Sequence, residues 1–419
     1  MSHILLAVTG SYGDVNPFLG IGIALRKRGH DVTLIANAAF EQRARAAGLG
    51  FAATGSAEEW ERVIADPRLA SWMTAWYEGI RQVVLPNIKP AYRRIVELHR
   101  PGQTTLVTNG LSIGPRIAQE RLGIPMATVL VWPTALPSVY APPRYSPFRL
   151  GRFGLRAVYR FSERQLEKLV GPTTNAFRVE QGLPPVSRFT LEWWMSAQRI
   201  ICLWPEWYAP KQPDWPQQTV LTGFPVYDGD TSSAEGWEMT RAIGTPSPAP
   251  ILFTTGSVTP PNRKFFLIAA EVCRRLNRPG LFVTPHAGQV PEDLPQRVRH
   301  LREYVPFSKL LPNTAGVVHQ GGIGTGSLAL AAGVPQLIVP MAHDHFDTAD
   351  RISQLGAGTS ISGISFRPGR VAKALSKLLD SPTVRERCQY WKSQIDGPAS
   401  IRRACELIEG LPLLSDGAP

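Results

Sequence analysis

The stretch Val317–Asp350, VVHQGGIGTGSLALAAGVPQLIVPMAHDHFDTAD, restricts the fold of this chain more than any other. Its opening valines read as the end of a strand that carries His319 and Gln320 into a turn with Gly321, Gly322, Gly324 and Gly326. Absent β-carbons let the backbone N–H groups of such a turn face a ligand directly. Thr325 to Ala332 is apolar and rich in helix formers, and Gly333 with Pro335 two residues on is a usual helix stop. QLIVP makes a second strand and delivers the polar cluster His343, Asp344, His345 and Asp347. A strand, a glycine turn and a helix in this order hold phosphate in α/β proteins, because the helix N-terminus has unpaired N–H groups and about half a positive charge. The same turn also occurs for packing alone, so the wider chain must decide.

A length of 419 residues suggests two domains or three and a large buried core. No apolar run reaches the ~18–20 residues of a membrane span, and the N-terminus lacks the basic region and cleavage site of a signal peptide, so a cytoplasmic location is expected. Cys202, Cys273, Cys388 and Cys405 show no CxxC or metal-ligand spacing and read as reduced, buried thiols. The formal charge of +12 suggests an anionic partner. Nucleic acid, anionic lipid and phosphorylated substrates all qualify on charge alone, but no aromatic–basic recognition motif is present and nucleic acid is not expected.

Along the chain, His3 to Gly10 reads as a buried parallel strand, followed by the turn Ser11–Asp14, a helix from about Pro17 to Arg28 and the strand DVTLIAN. The start is Rossmann-like without the dinucleotide fingerprint. Its glycines are spaced G-x-x-G, and the second strand ends at Asn37 where an acidic residue would grip a ribose, which disfavours an NAD enzyme. The alternation continues through Phe40–Ala47 (helix), TTLVTNG (strand), Pro115–Leu122 (helix) and MATVLVW (strand). Trp60–Arg94 and Trp132–Phe148, rich in aromatic residues and proline, interrupt it and are expected to line a pocket. Between Phe148 and Leu169 the cations Arg149, Arg152, Arg156, Arg160, Arg164 and Lys168 mark a basic amphipathic helix, either a solvated face or a membrane-surface contact. After a polar linker, ILFTTGS repeats the strand-and-turn design of the N-terminus and opens a second α/β domain, which ends in helices at Val371–Leu379 and Val384–Leu407.

GSYGDVNPF, TTGS and YVPFSKLLPNTAGVVHQGGIGTGSLALAAGVPQLIVPMAHDHFDTADR, in that order and over nearly the whole chain, resemble the family-1-type inverting glycosyltransferases of GT-B fold. The resemblance implies two facing Rossmann-like α/β domains with a cleft between them. Residues 1–228 would form the acceptor-binding domain, 229–250 a linker, 251–385 the nucleotide-sugar-binding domain and 386–419 helices crossing back to the N-terminal domain. CLWPEWYAPKQPDWPQQTVLTGFPVYDG, together with HQGGIG and HDHFDTADR, further resembles the rhamnosyltransferases of bacterial rhamnolipid synthesis. These would move L-rhamnose from dTDP-L-rhamnose to a hydroxyalkanoyl lipid, with peripheral contact at the inner membrane. Transferases for macrolide, glycopeptide or sterol acceptors use the same motifs, and a non-catalytic nucleotide-sugar-binding partner is a further alternative.

The resemblance also implies the roles of individual residues. Tyr304 and Val305 would cradle the base, and Ser257, His319, Gly322, Gly324 and Thr325 the diphosphate. Three positions depart from the family pattern. Gln320 stands where a phosphate-binding histidine is usual, so that either Gln320 donates or His319 substitutes. Leu328 replaces a ribose-binding glutamate; an unpaired buried hydroxyl there costs ~1–3 kcal/mol, which favours a deoxyribose donor, a dTDP-sugar. Asp344-His345 replaces an Asp-Gln sugar clamp. His343, Asp344, His345 and Asp347 also invite a metal reading, but alternate polar residues after a strand serve sugar hydroxyls equally well, and neither metal nor cofactor is expected. Asp14 reads locally as a helix cap, whereas the matched position makes it the general base. Tyr12, Trp72, Trp76, Trp132 and Tyr140, with Trp193 and Trp194, are candidates for an apolar acceptor pocket.

Overall fold

A strand buried on both faces must be apolar throughout, and β1 (His3–Ala7, HILLA) is buried at every position. In the computed structural model, which describes residues 1–70, 74–142, 151–189, 193–229, 248–256 and 262–412, it is central to a sheet of seven strands. The others are β2 (Asp31–Ala36), β3 (Gly50–Ala53), β4 (Thr104–Asn109), β5 (Met126–Leu130), β6 (Arg199–Cys202) and β7 (Thr219–Leu221). Their order is β3-β2-β1-β4-β5-β6-β7, and all pairs are parallel, with His3 level with Asp31 on one side and Thr104 on the other.

The connecting helices are α1 (Tyr12–Lys27), α2 (Glu41–Ala46), α3 (Ala57–Ile64), α4 (Ala75–Gly79), α5 (Ile88–Leu98), α6 (Gly114–Leu122) and α7 (Arg152–Glu180). Two of them correct the sequence reading. α1 starts at Tyr12, not near Pro17, because Ser11 and Asp14 form a capping box that fixes the N-terminus one turn earlier. The segment Trp60–Arg94, expected to line a pocket, is largely helical. Its residues Ile80, Val84, Ile88, Tyr92 and Ile95 pack with Leu106, Ile117, Val170 and Phe177 in the core, and their near-fourfold spacing is the helical signal that the tryptophans obscured.

The second sheet has six strands: β8 (Ile251–Thr254), β9 (Gly280–Val283), β10 (Val298–Leu301), β11 (Gly316–His319), β12 (Gln336–Ile338) and β13 (Gly358–Ser360). They lie parallel in the order β10-β9-β8-β11-β12-β13. The helices of its part of the chain are α8 (Arg263–Leu276), α9 (Phe307–Leu310), α10 (Ile323–Ala332), α11 (His345–Gln354), α12 (Pro368–Asp380) and α13 (Pro382–Ser393), and the last helix of the chain, α14 (Gly397–Glu409), follows them. The chain thus divides into two Rossmann-like units, one comprising Met1–Val63, Trp76–Pro225 and the chain from Gly397 on, the other Ile64–Ala75 and Val226–Asp396.

The expected domain limit at residue 385 moves to 396, and the single helix expected over Val384–Leu407 is broken by Gly397-Pro398. α13 stays with the second unit, where Trp391 Nε1 donates to the Leu355 carbonyl at 2.9 Å. α14 belongs to the first, where Glu409 pairs with Arg28 at 2.6 Å and His30 at 2.8 Å. All four cysteines are free and buried. No described helix is long and apolar enough to cross a membrane.

α5 and α6 cross closely at Gly114, where an added Cβ would lie 2.2 Å from the Ile88 carbonyl oxygen. Backbone cannot yield as a side chain does, so Gly114→Ala should lower stability by ~1–3 kcal/mol in urea unfolding; an unchanged midpoint would refute this close crossing.

Candidate functional site

β11 ends in His319, whose side chain is fully buried. Gly321 N–H donates to His319 Nδ1 at 3.1 Å, so the proton sits on Nε2, which donates to Gln336 Oε1 at 3.0 Å. Gln336 Nε2 in turn donates to the Gly326 carbonyl at 3.2 Å. Burial pushes the imidazole down to about 4 and keeps it neutral, the form this chain of bonds requires. Both ring nitrogens are engaged inside the turn. The direct phosphate contact expected of His319 gives way to a positioning role, and Gln336, which the sequence did not single out, is its partner.

Gln320 points the other way. Its amide lies against Gly256, where a Cβ would fall 2.0 Å from Gln320 Nε2; Gly256 is also left-handed, with φ +79°. The side chain is 7% exposed, yet its Oε1 has no partner among the described residues. Gly322 caps α10 without any side-chain bond, so Gly324 and Thr325 lie in an uncapped first helical turn. Ser257 lies outside the described residues. Leu328 faces inward into the core formed by Val305, Leu310, Leu311 and Val317.

Tyr304 is half-exposed, and its hydroxyl donates to the Asp228 carbonyl. The Asp228 carboxylate accepts from Ser308 N–H at 2.8 Å and Ser308 Oγ at 2.6 Å. Asp228, read from sequence as the last residue of the first domain, therefore anchors the 304–308 turn. In the polar cluster, Asp344 precedes α11, and His345 Nδ1 accepts from Ala342 N–H at 3.2 Å. Burial first, then the rings of His343 and His319, push His345 down to about 3, so it is neutral with its proton on Nε2. Asp347 pairs with Arg351 at 2.6 Å, and among the described residues no His, Cys, Asp and Glu side chains are grouped to hold a metal ion.

In the first unit, β1 hands the chain to Gly10, whose φ is +132° and whose added Cβ would lie 2.2 Å from Asp14 Oδ2. That oxygen accepts from Ser11 N–H at 2.7 Å and Ser11 Oγ at 3.2 Å. Asp14 is therefore a cap, as its local sequence suggests. The same carboxylate is only 7% exposed, and its Oδ1 has no partner among the described residues. Burial raises Asp14 to about 6 against the opposing hydrogen bonds of Ser11. Nearby, Ser112 Oγ and the Asn87 amide both donate to Thr9 Oγ1, and the Asn109 amide donates to the Thr9 carbonyl at 2.6 Å.

Residues 4–140 match the glycosyltransferase family 28 N-terminal domain, and residues 282–405 match the C-terminal domain of erythromycin biosynthesis protein CIII-like proteins. The O-mycaminosyltylonolide 6-deoxyallosyltransferase of Streptomyces fradiae is 28% identical, over 97% of this chain and 97% of its own. The solved structure of the kitacinnamycin glycotransferase superposes with a TM-score of 0.74 at 20% identity, over 98% of this chain and 99% of that one. The spinosyn rhamnosyltransferase SpnG, complexed with thymidine diphosphate, has a TM-score of 0.65 at 19% identity, over 96% and 100%. The chain is a GT-B glycosyltransferase.

The aromatic residues proposed from sequence for the acceptor of this glycosyltransferase differ in their surroundings. Tyr12 meets Phe40 edge-on at 5.1 Å under the Arg43 guanidinium, and Trp132 is half-buried. Trp76 and Tyr140 are exposed, and Trp72 lies outside the described residues. Trp193 and Trp194 belong to the core instead, with Trp193 Nε1 donating to Glu120 at 2.7 Å.

Because Asp14 is raised in the folded chain, it binds its proton more tightly there than in the unfolded chain, and stability falls as pH rises from the unfolded value through about 6. A displacement of this size corresponds to ~3 kcal/mol. Asp14→Asn, which keeps an acceptor for Ser11 N–H, should therefore melt higher than wild type at pH 8, and the gap should close toward pH 4.5. A gap independent of pH would show that Asp14 titrates as an ordinary surface carboxylate.

Proposed function

We propose that this glycosyltransferase moves a sugar from a dTDP-sugar to a hydroxyl of an apolar natural product, with inversion at the anomeric carbon. The observation that carries the reading is the Gly256–Gln320–α10 turn: a helix start without a side-chain cap, beside a buried amide whose oxygen has no partner among the described residues. Oxygen and nitrogen of an amide exchange places by rotation, so Gln320 turned over presents N–H to a phosphate. With the N–H groups of Gly324 and Thr325, and Ser257 as a further donor, it would stabilise the negative charge that grows on the departing diphosphate. Leu328 offers no acceptor to a ribose hydroxyl, which favours deoxyribose, and SpnG was solved with thymidine diphosphate. Tyr304 and Val305 would take the base. Asp344 and the Nε2–H of His345 would meet sugar hydroxyls.

Asp14 is the proposed base. A carboxylate cannot ionise an aliphatic hydroxyl beforehand, so the proton transfers late, as the acceptor oxygen attacks and the bond to diphosphate breaks. The acceptor class follows the relatives, one named for O-mycaminosyltylonolide and one domain match named for erythromycin biosynthesis. A second reading, L-rhamnose transfer from dTDP-L-rhamnose to a hydroxyalkanoyl lipid at the inner membrane surface, is supported by the resemblance of CLWPEWYAPKQPDWPQQTVLTGFPVYDG and is tested with the same assay.

Mass spectrometry of the protein with dTDP-L-rhamnose or other dTDP-sugars, against macrolide, glycopeptide, sterol and hydroxyalkanoyl lipid acceptors, should show one glycosylated product, unaffected by excess EDTA. Absence of product with every pair, together with no calorimetric binding of thymidine diphosphate, would reject the reading. Asp14→Asn should lower turnover ~10²–10⁴-fold with thymidine diphosphate affinity intact, and turnover of wild type should fall as pH drops through about 6. Near-normal turnover of Asp14→Asn would reassign the base. Gln336→Leu leaves His319 Nε2–H and the Gly326 carbonyl without partners, and thymidine diphosphate should bind ~10-fold or more weakly; undiminished affinity would separate that hydrogen-bond chain from donor binding.

A further inference from the structure

α7 is 29 residues long and is held by its second half, where Glu163, Leu166, Val170, Thr174, Phe177 and Arg178 are buried. Ahead of Glu163 none of its side chains is buried, and Phe153 (86%), Val158 (42%) and Phe161 (62%) stand in solvent. Phe153, Ala157 and Phe161 follow at four-residue steps, as do Arg152, Arg156, Arg160 and Arg164, so the two rows run side by side on the helix surface. From Arg152 to Ser162 there is no carboxylate, and the first turn of the helix carries no acidic residue. Among the described residues none of these arginines, nor Lys168, joins an ion pair. This half of the helix is nonetheless pinned, since Tyr159 Oη donates to the Ser138 carbonyl at 3.1 Å and the Arg152 guanidinium lies 4.7 Å over the exposed Tyr140 ring.

We propose that this face of α7 docks on an anionic lipid bilayer, with Phe153 and Phe161 entering the acyl boundary and Arg156, Arg160 and Arg164 meeting headgroup phosphates. An apolar partner helix would bury the guanidinium groups without counter-ions, and an acidic peptide would leave the phenylalanine row wet. A bilayer interface satisfies both rows at once. The proposal gives a place to the membrane contact of the lipid reading and rests on that reading only for its biological use. Vesicle binding is measured without donor or acceptor, so its failure leaves the transfer reaction untouched.

Sedimentation of the full chain with vesicles of phosphatidylcholine, with and without phosphatidylglycerol, tests it. Binding should require phosphatidylglycerol and weaken as salt rises. Arg156→Glu with Arg160→Glu should lower partitioning at least ~10-fold. Phe153→Ser with Phe161→Ser should lower it comparably while leaving the salt dependence in place. Both pairs are exposed, so circular dichroism and melting should match wild type. No binding, equal binding to neutral vesicles, or binding indifferent to both variants overturns the proposal. So does salt-sensitive retention on DNA in place of lipid, or self-association abolished by the phenylalanine variant.

Discussion

The hydrogen-bond chain running from Gly321 N–H through His319 and Gln336 to the Gly326 carbonyl is the constraint on which the second unit's turn depends. It has a direction. Each group donates one way and accepts the other, which is possible only while the imidazole holds a single proton. Burial, which makes an unpaired polar atom expensive, is also what keeps that proton count fixed. The turn is braced from the opposite side as well: a Cβ on Gly321, whose φ is +105°, would lie 2.9 Å from the His345 carbonyl oxygen. The glycine turn after β11 and the start of α11 therefore pack closely against each other.

The first unit faces the same problem of a polar group at a strand end and meets it in the opposite way. Around Asp14 the bonds are incomplete among the described residues, because one carboxylate oxygen is held by Ser11 while the other is buried without a partner there. A capping aspartate chosen for stability would sit in solvent, where its charge is tolerated. Here the cap fixes the orientation of the carboxylate and the burial raises its proton affinity, so that under the proposed reading one residue serves both as cap and as base. Gly10 is part of this arrangement: only a residue without a β-carbon leaves room for Asp14 Oδ2.

Much of this was legible in the sequence, and the parts that were not share a cause. The buried strands HILLA and GVVH and the glycine stop of α10 at Gly333 are local signals, set by residues close in the chain. The capping box at Ser11 and Asp14 was equally local but was outweighed by Pro17, which a helix tolerates once its start is fixed. His319, Gln336 and Asp228 were misjudged because their roles come from partners elsewhere in the chain: Gln336 is 17 residues from His319, and Asp228 is 80 from Ser308. Trp193 and Trp194 failed as acceptor candidates because aromatic content alone does not separate a pocket wall from a core.

Leu328 shows how the fold and the proposed donor choice are linked. It stands on α10 in one apolar cluster with Val305, Leu310 and Leu311, while Asp228 ties Tyr304 and Ser308 from outside that cluster. The residues proposed to hold the base are thus positioned by the core itself. A glutamate at 328 would bring a carboxylate into this cluster, where only a ribose hydroxyl would offset its desolvation. With leucine there the core stays continuous and the turn carrying Tyr304 and Val305 is firmly seated. Under the proposed reading, selectivity for a deoxyribose nucleotide then follows from an acceptor that is missing, since a buried hydroxyl over Leu328 would be left unpaired.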